Sequence, residues 1–164
     1  MILEARSANC FATEFVLKLN GHAVGKFETR LFSEGLDIAM TERRQLRLEK
    51  IGWMGSQFIL KREGEERPIA WADRAGLFTS AWDLDLSLGA AQLAGMGWFQ
   101  TGYLIQQEGR TIGHVDRLGW CERGWLVEGE SLAQEDMIMA GLIYHIIQRR
   151  QAQHHAAAGG HAGT

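Results

Sequence analysis

The chain has 164 residues, 46% of them hydrophobic and 23% charged, and a formal net charge of −3. That is an ordinary globular composition, long enough for one domain with a sizeable core, and it offers no global positive field for a nucleic-acid partner. Two cysteines, Cys10 and Cys121, are too few for a disulfide framework or a four-cysteine zinc site, and no apolar run reaches the roughly 20 residues that span a bilayer.

The opening MILEARSANCF lacks a basic stretch followed by a long apolar one, so no secretory leader is expected and a cytoplasmic location is. The first clear element is FVLKLNGHAVGKFE, from Phe15 to Glu28. Phe15, Leu17 and Leu19 alternate with Val16 and Lys18, the period-2 pattern of a half-buried strand. Asn20-Gly21 then supplies a hairpin turn, because both residues tolerate positive φ. Two further segments share the layout: FILKREGEERPIAWAD from Phe58 and YLIQQEGRTIGHVD from Tyr103. Each has a glycine six residues after its aromatic (Gly21, Gly64, Gly109) and closes on an acid (Glu28, Asp73, Asp116).

A second kind of hairpin lies between these. Leu36 to Trp53 and Trp82 to Trp98 occupy equivalent places, with Leu36-Asp37-Ile38 matching Trp82-Asp83-Leu84. A Gly-Trp pair precedes an aromatic three times: Gly52-Trp53 before Phe58, Gly97-Trp98 before Tyr103, and Gly119-Trp120 before Trp125. Trp53, Trp98 and Trp120 are expected to pack the fold rather than stack a ligand. A four-strand block thus repeats and a third copy starts at Tyr103, for about twelve strands, which must curl or close to remove exposed edges.

The third copy ends in a helix expected over about 132–150. Ser131 and Gln134 fit a capping box, Glu135 and Asp136 suit the first turn, and Arg149 and Arg150 suit the last. Between them MIMAGLIYHII is apolar on all sides, as in a helix buried all round. Eleven residues are too short to cross a bilayer, so the pattern predicts a helix threaded through an antiparallel all-β barrel. Residues 1–150 then form one domain, and 151–164, QAQHHAAAGGHAGT, read as a disordered tail.

These hairpin units, the intervening LEKIGWMGSQFIL and the closing MIMAGLIYHII resemble the tubby-like barrel superfamily: tubby C-terminal domains, plant LURP-one-related proteins and phospholipid scramblases. The resemblance spans residues 10–150. It implies a non-enzymatic barrel without a cofactor, in a superfamily some of whose members bind anionic lipid headgroups. No phosphoinositide-binding or calcium-binding residues of the superfamily carry over to this chain.

The densest basic run is Arg43, Arg44 and Arg47 with Lys50. In a strand over 44–51, Leu46, Leu48 and Lys50 share one face and Arg47 takes the other. With Lys61 and Arg62 on the next strand, these cations form an expected anion- or lipid-binding patch, arginine gripping phosphate oxygens bidentately. Glu42, Glu49, Glu63, Glu65 and Glu66 make the alternative a solvated, self-neutralised face. The partner is then an anionic phospholipid surface at the inner face of the membrane or, for a scaffold without a ligand, another protein.

Asp83 and Asp85 share a strand face, but no nearby loop supplies the six to eight oxygens that calcium prefers, and they read as exposed aspartates. The six histidines show no zinc spacing, so no metal is expected. His145, inside the apolar helix, reads as a buried neutral side chain hydrogen-bonded to a carbonyl or another side chain, the alternative being a polar residue that lines a cavity. No nucleophile motif occurs, and no catalytic residue is assigned.

Overall fold

The structure is a computed structural model that describes residues 1–30, 33–52, 56–76, 80–97, 102–119 and 122–159. The strands are β1 (Ile2–Ser7), β2 (Glu14–Leu19), β3 (His22–Glu28), β4 (Leu36–Met40), β5 (Gln45–Ile51) and β6 (Gln57–Arg62). They continue as β7 (Pro68–Arg74), β8 (Trp82–Leu86), β9 (Gly89–Gly95), β10 (Tyr103–Gln107), β11 (Arg110–Arg117) and β12 (Gly124–Glu128), and one helix follows, α1 (Gln134–Gly159). Every strand pairs antiparallel with its sequence neighbours, and β1 pairs with β12, so the sheet closes into a barrel without an edge.

The repeat is visible in the register. Phe15, Phe58 and Tyr103 sit in β2, β6 and β10, each the first strand of a hairpin. In all three the register slips two residues beyond the aromatic: after Leu17, Leu60 and Ile105. The extra residues opposite are Val24, Ile69 and Ile112, and all three pack against the core. The second unit, from Phe58 to Asp73, is two residues longer than the other two; the extra length falls in its turn, and the bulge itself is kept. Asn20 (φ 48°) and Gly21 (φ 84°) form the expected left-handed turn, and Glu108 (φ 49°) with Gly109 (φ 76°) repeats it.

The third copy begins with β10–β11 and continues with β12, whose partner is β1 from the other end of the chain. ILEARS thus supplies the strand that the third copy lacks. Its inward residues, Leu3 and Ala5, are fully buried. Trp125 lies in β12, the counterpart of β4 and β8, so the third Gly-Trp pair precedes a different strand type from the first two. Trp53, Trp98 and Trp120 lie outside the described residues.

The helix runs through the barrel. Met137, Ile138, Met139, Leu142, Ile143 and Ile146 are at most 1% exposed, as a helix surrounded by sheet requires. Its backbone comes nearest to β12, β1 and β11 on one side and β7 on the other. Alanines face it there, Ala5 on β1 and Ala70 and Ala72 on β7, and all are buried. Close approach also explains Gly141, where an added Cβ would lie 2.1 Å from the Trp125 ring.

Two features of the helix differ from expectation. It starts at Gln134, and the Met137 amide donates to the Ala133 carbonyl at 3.0 Å. Ala133 is therefore the N-cap, and Ser131 does not form the expected box. The first turn is anchored instead by buried Asp136, whose carboxylate accepts from the Ser87 amide at 2.9 Å in the β8–β9 turn. The helix also continues past 150 to Gly159, so residues 151–159 are helical where a disordered tail was expected. Alanine-rich sequence propagates a helix that the barrel has already nucleated. Arg149 and Arg150 are consequently mid-helix and not at its terminal dipole.

Candidate anion-binding site

The two ends of the barrel differ. One carries the tight turns, including those at Asn20-Gly21, Ser87-Leu88 and Glu108-Gly109, and α1 enters there. The other carries the longer connections, and α1 leaves there between the β3–β4 connection and β5. The basic residues singled out from the sequence are divided between these ends and between the two faces of the wall.

Arg43 (φ 58°) and Arg44 lie in the exposed β4–β5 turn, at the entry end. Arg44 pairs with Glu42 at 3.1 Å. Arg47 and Lys61 are cross-strand partners on the outer face of β5 and β6. Between them stands Glu49, 3.6 Å from Arg47 and 3.2 Å from Lys61, and Asp37 is 3.7 Å from Arg47. Arg62 pairs in register with buried Leu46 and so belongs to the inner mouth. It meets Glu135 of the helix at 3.4 Å and Glu65 at 3.5 Å. The structure brings Arg47 and Lys61 together, sets Arg43 and Arg44 on the adjoining turn, and directs Arg62 to the helix. A groove of about 680 Å³ along Arg47, Lys61 and Arg62 also holds five carboxylates, Glu63, Glu65 and Glu66 among them.

The exit end is organised differently. Lys50 follows Leu46 and Leu48 on the inward face, as the alternation predicts, and reaches Glu34 at 2.8 Å. Arg150 grips the same carboxylate with two bonds, at 2.6 and 2.9 Å, while its guanidinium lies 5.7 Å from the Phe58 ring centre and 5.8 Å from that of Trp82. The Arg150 hydrogen bond, helped by Lys50 and opposed by burial, holds the Glu34 carboxyl at about 2. Arg149 donates to the carbonyl of Arg30 at 2.7 Å and to that of Ser33 at 3.3 Å. Together these residues line a cleft of about 760 Å³ with five cationic side chains against three carboxylates. Of them, the sequence reading had put Arg47 in a site and had noted Lys50 beside it. Arg30 stands alone in sequence, and Arg149 and Arg150 read as helix-end charges.

The other candidates are accounted for by the barrel. Asp83 and Asp85 point outward, and Asp83 accepts from Gln92 at 3.1 Å. Among the described residues no three His, Cys, Asp or Glu side chains group as metal ligands. His145 lies against the stacked pair Phe15 and Phe27, with ring centres at 5.0 and 5.6 Å. Burial first, and Arg149 second, lower its pKa to about 4, so it is neutral near pH 7; its Nε2 has no hydrogen-bond partner among the described residues. Cys10 is exposed, and Cys121 lies outside the described residues.

No protein-family model matches this chain, and no curated protein does either. Among solved structures it is similar to the X-ray structure of a protein from Arabidopsis thaliana. That likeness has a TM-score of 0.61 and 12% identity, and covers 90% of this chain and 91% of the other. At such identity it is a likeness of fold. No helix among the described residues is long and apolar enough to cross a membrane.

Proposed function

We propose that this protein is a non-enzymatic tubby-like barrel that binds phosphate-bearing anionic groups of the lipid-headgroup type, peripherally, at the cytoplasmic face of a membrane. The reading is supported by the closed barrel with its internal helix, a fold shared with a plant protein, as the resemblance to LURP-one-related proteins would have it. The observation that carries it is the register of β5 and β6, which sets Arg47 beside Lys61, next to the turn bearing Arg43 and Arg44. Clustered guanidinium groups bind phosphate by paired charge-assisted hydrogen bonds.

Flotation with vesicles tests it, comparing neutral phosphatidylcholine with phosphatidylcholine containing phosphatidic acid, at low and physiological salt. Binding is expected only with the anionic vesicles, weaker at the higher salt, and reduced in Arg43→Ala/Arg44→Ala/Arg47→Ala. Failure to float with anionic vesicles even at low salt would refute the reading. A second reading, a protein-interaction scaffold without a ligand, is favoured by the carboxylates beside Arg44, Arg47, Lys61 and Arg62. It predicts a stable protein partner and no flotation.

A further inference from the structure

We propose that the phosphate site of this barrel is the cleft where α1 leaves it, built on Arg30, Arg47, Lys50 and Arg149, with a phosphate monoester as ligand. This rests on the anion-binding reading above and moves the centre of the site from the outer face of β5 and β6 to the exit end.

Charge bookkeeping separates the two places. In the groove beside Lys61 and Arg62, carboxylates outnumber cations, so a dianion is held there less strongly than where cations are in excess. In the exit cleft cations outnumber carboxylates. The surplus is also localised. Glu34 carries one negative charge and is bound by both Lys50 and Arg150, which leaves one positive charge over. Arg149 adds another, because its partners are the carbonyls of Ser33 and Arg30, which orient the guanidinium without neutralising it.

Arg30 completes the arrangement. Its side chain is 76% exposed and its nearest carboxylate oxygen, on Asp37, is 3.9 Å away, too far for a hydrogen bond. A phosphate with two charges can draw Arg30 inward and keep Arg149 in place. The cleft, at about 760 Å³, lies within the range of small-molecule sites and admits a phosphorylated headgroup or a free phosphate ester.

The neighbouring connection offers a way to tell these two sources apart. Phe11 is 85% exposed, and the Ala12 carbonyl beside it accepts a hydrogen bond from the Thr29 hydroxyl at 3.4 Å, next to Arg30. A lipid surface engaging the cleft would also receive the Phe11 ring, whereas a free phosphate would not.

The test compares the full chain with Arg30→Glu, Phe11→Ser and Arg110→Glu, the last on an exposed residue at the entry end that changes net charge equally. Two probes are used: vesicles of phosphatidylcholine with phosphatidic acid, followed by flotation, and inorganic phosphate, followed by NMR shift titration. Arg30→Glu is expected to weaken both by about tenfold or more, the loss of one charge-assisted contact. Arg110→Glu is expected to change them by less than about twofold, since its charge is screened from the cleft. Phe11→Ser should weaken vesicle binding alone if the source is a lipid, and neither probe if it is a free ester. If charge reversal perturbs the fold, as judged by melting, Arg30→Gln replaces it. Wild type that binds while Arg30→Glu binds equally well, or loses no more than Arg110→Glu, overturns the proposed site and leaves the anion-binding function standing. Wild type that binds neither probe overturns both.

Discussion

Replacing Gly141 by alanine gives a sharp test of the threaded helix. In an isolated helix the change would stabilise by about 1 kcal/mol, because alanine loses less backbone entropy. Here the new Cβ would fall 2.1, 2.3 and 2.6 Å from three carbons of the Trp125 ring. Reaching an ordinary contact of 3.4 Å requires ring and helix to separate by about 1.3 Å. Neither has room. Trp125 is 1% exposed and lies against Phe27, 6.5 Å between ring centres, and Phe27 in turn contacts Phe15 and His145. Overpacking of this kind costs about 3 kcal/mol, so the net loss is about 2 kcal/mol after the propensity gain. For a chain of this length that is a fall of about 4–8 °C in Tm. Calorimetry and urea titration of wild type, Gly141→Ala, Trp125→Leu and the double variant would measure it. The double variant should lose less than the sum of the singles, because leucine vacates the space that Cβ needs. Gly141→Ala melting at or above wild type would refute the helix position.

Three further outcomes follow from the same packing. Ending the chain at residue 133 removes, among other buried groups, seven large aliphatic side chains between Met137 and Ile147, worth about 10–20 kcal/mol of gross transfer energy, against a typical net stability of about 5–15 kcal/mol. That truncation should not fold, whereas ending at 150 removes helix whose residues 151–157 are exposed and should shift stability by less than about 0.5 kcal/mol; equal behaviour of the two in a melt would contradict the threading. Glu34 has a lowered pKa in the fold, so its contribution is full above about pH 4.5 and declines as pH falls toward 2. Wild type should lose Tm through that window more steeply than Glu34→Gln, and parallel profiles would show that the contacts of Arg150 and Lys50 add no stability. His145 also has a lowered pKa, from 6.5 to about 4, so the unfolded chain binds the extra proton first and stability should fall between those values as pH drops. His145→Phe should flatten this slope, and an unchanged slope would assign it to another group.

The sequence by itself determined the repeat, the alternation and the buried helix. Phe15, Phe58 and Tyr103 mark equivalent strands because each repeat must meet the same wall geometry, whereas the bulges at Val24, Ile69 and Ile112 appeared only in the register of the paired strands. An apolar surface on every side of MIMAGLIYHII requires a surrounding wall, which is why a closed twelve-stranded barrel around a helix was legible. What lacked a local signal was closure by β1: ILEARS reads as an ordinary short strand, and only pairing with β12 across the whole chain gives it a place. Ser131 matched a capping pattern, but where the helix begins was set by Asp136 meeting the β8–β9 turn. The basic residues show the same limit. Arg43, Arg44 and Arg47 are near one another in sequence, so the run was visible, as were Glu42 and Glu49 beside it, and tertiary packing added Asp37 from β4. The exit cleft gathers Arg30, Lys50 and Arg149 from a connection, a strand and a helix, separated by up to 119 positions. Periodicity reports the environment of a segment, and charge surplus in a cleft depends on which segments the fold brings together. That is why the barrel could be read from the chain and its cationic mouth only from the tertiary structure.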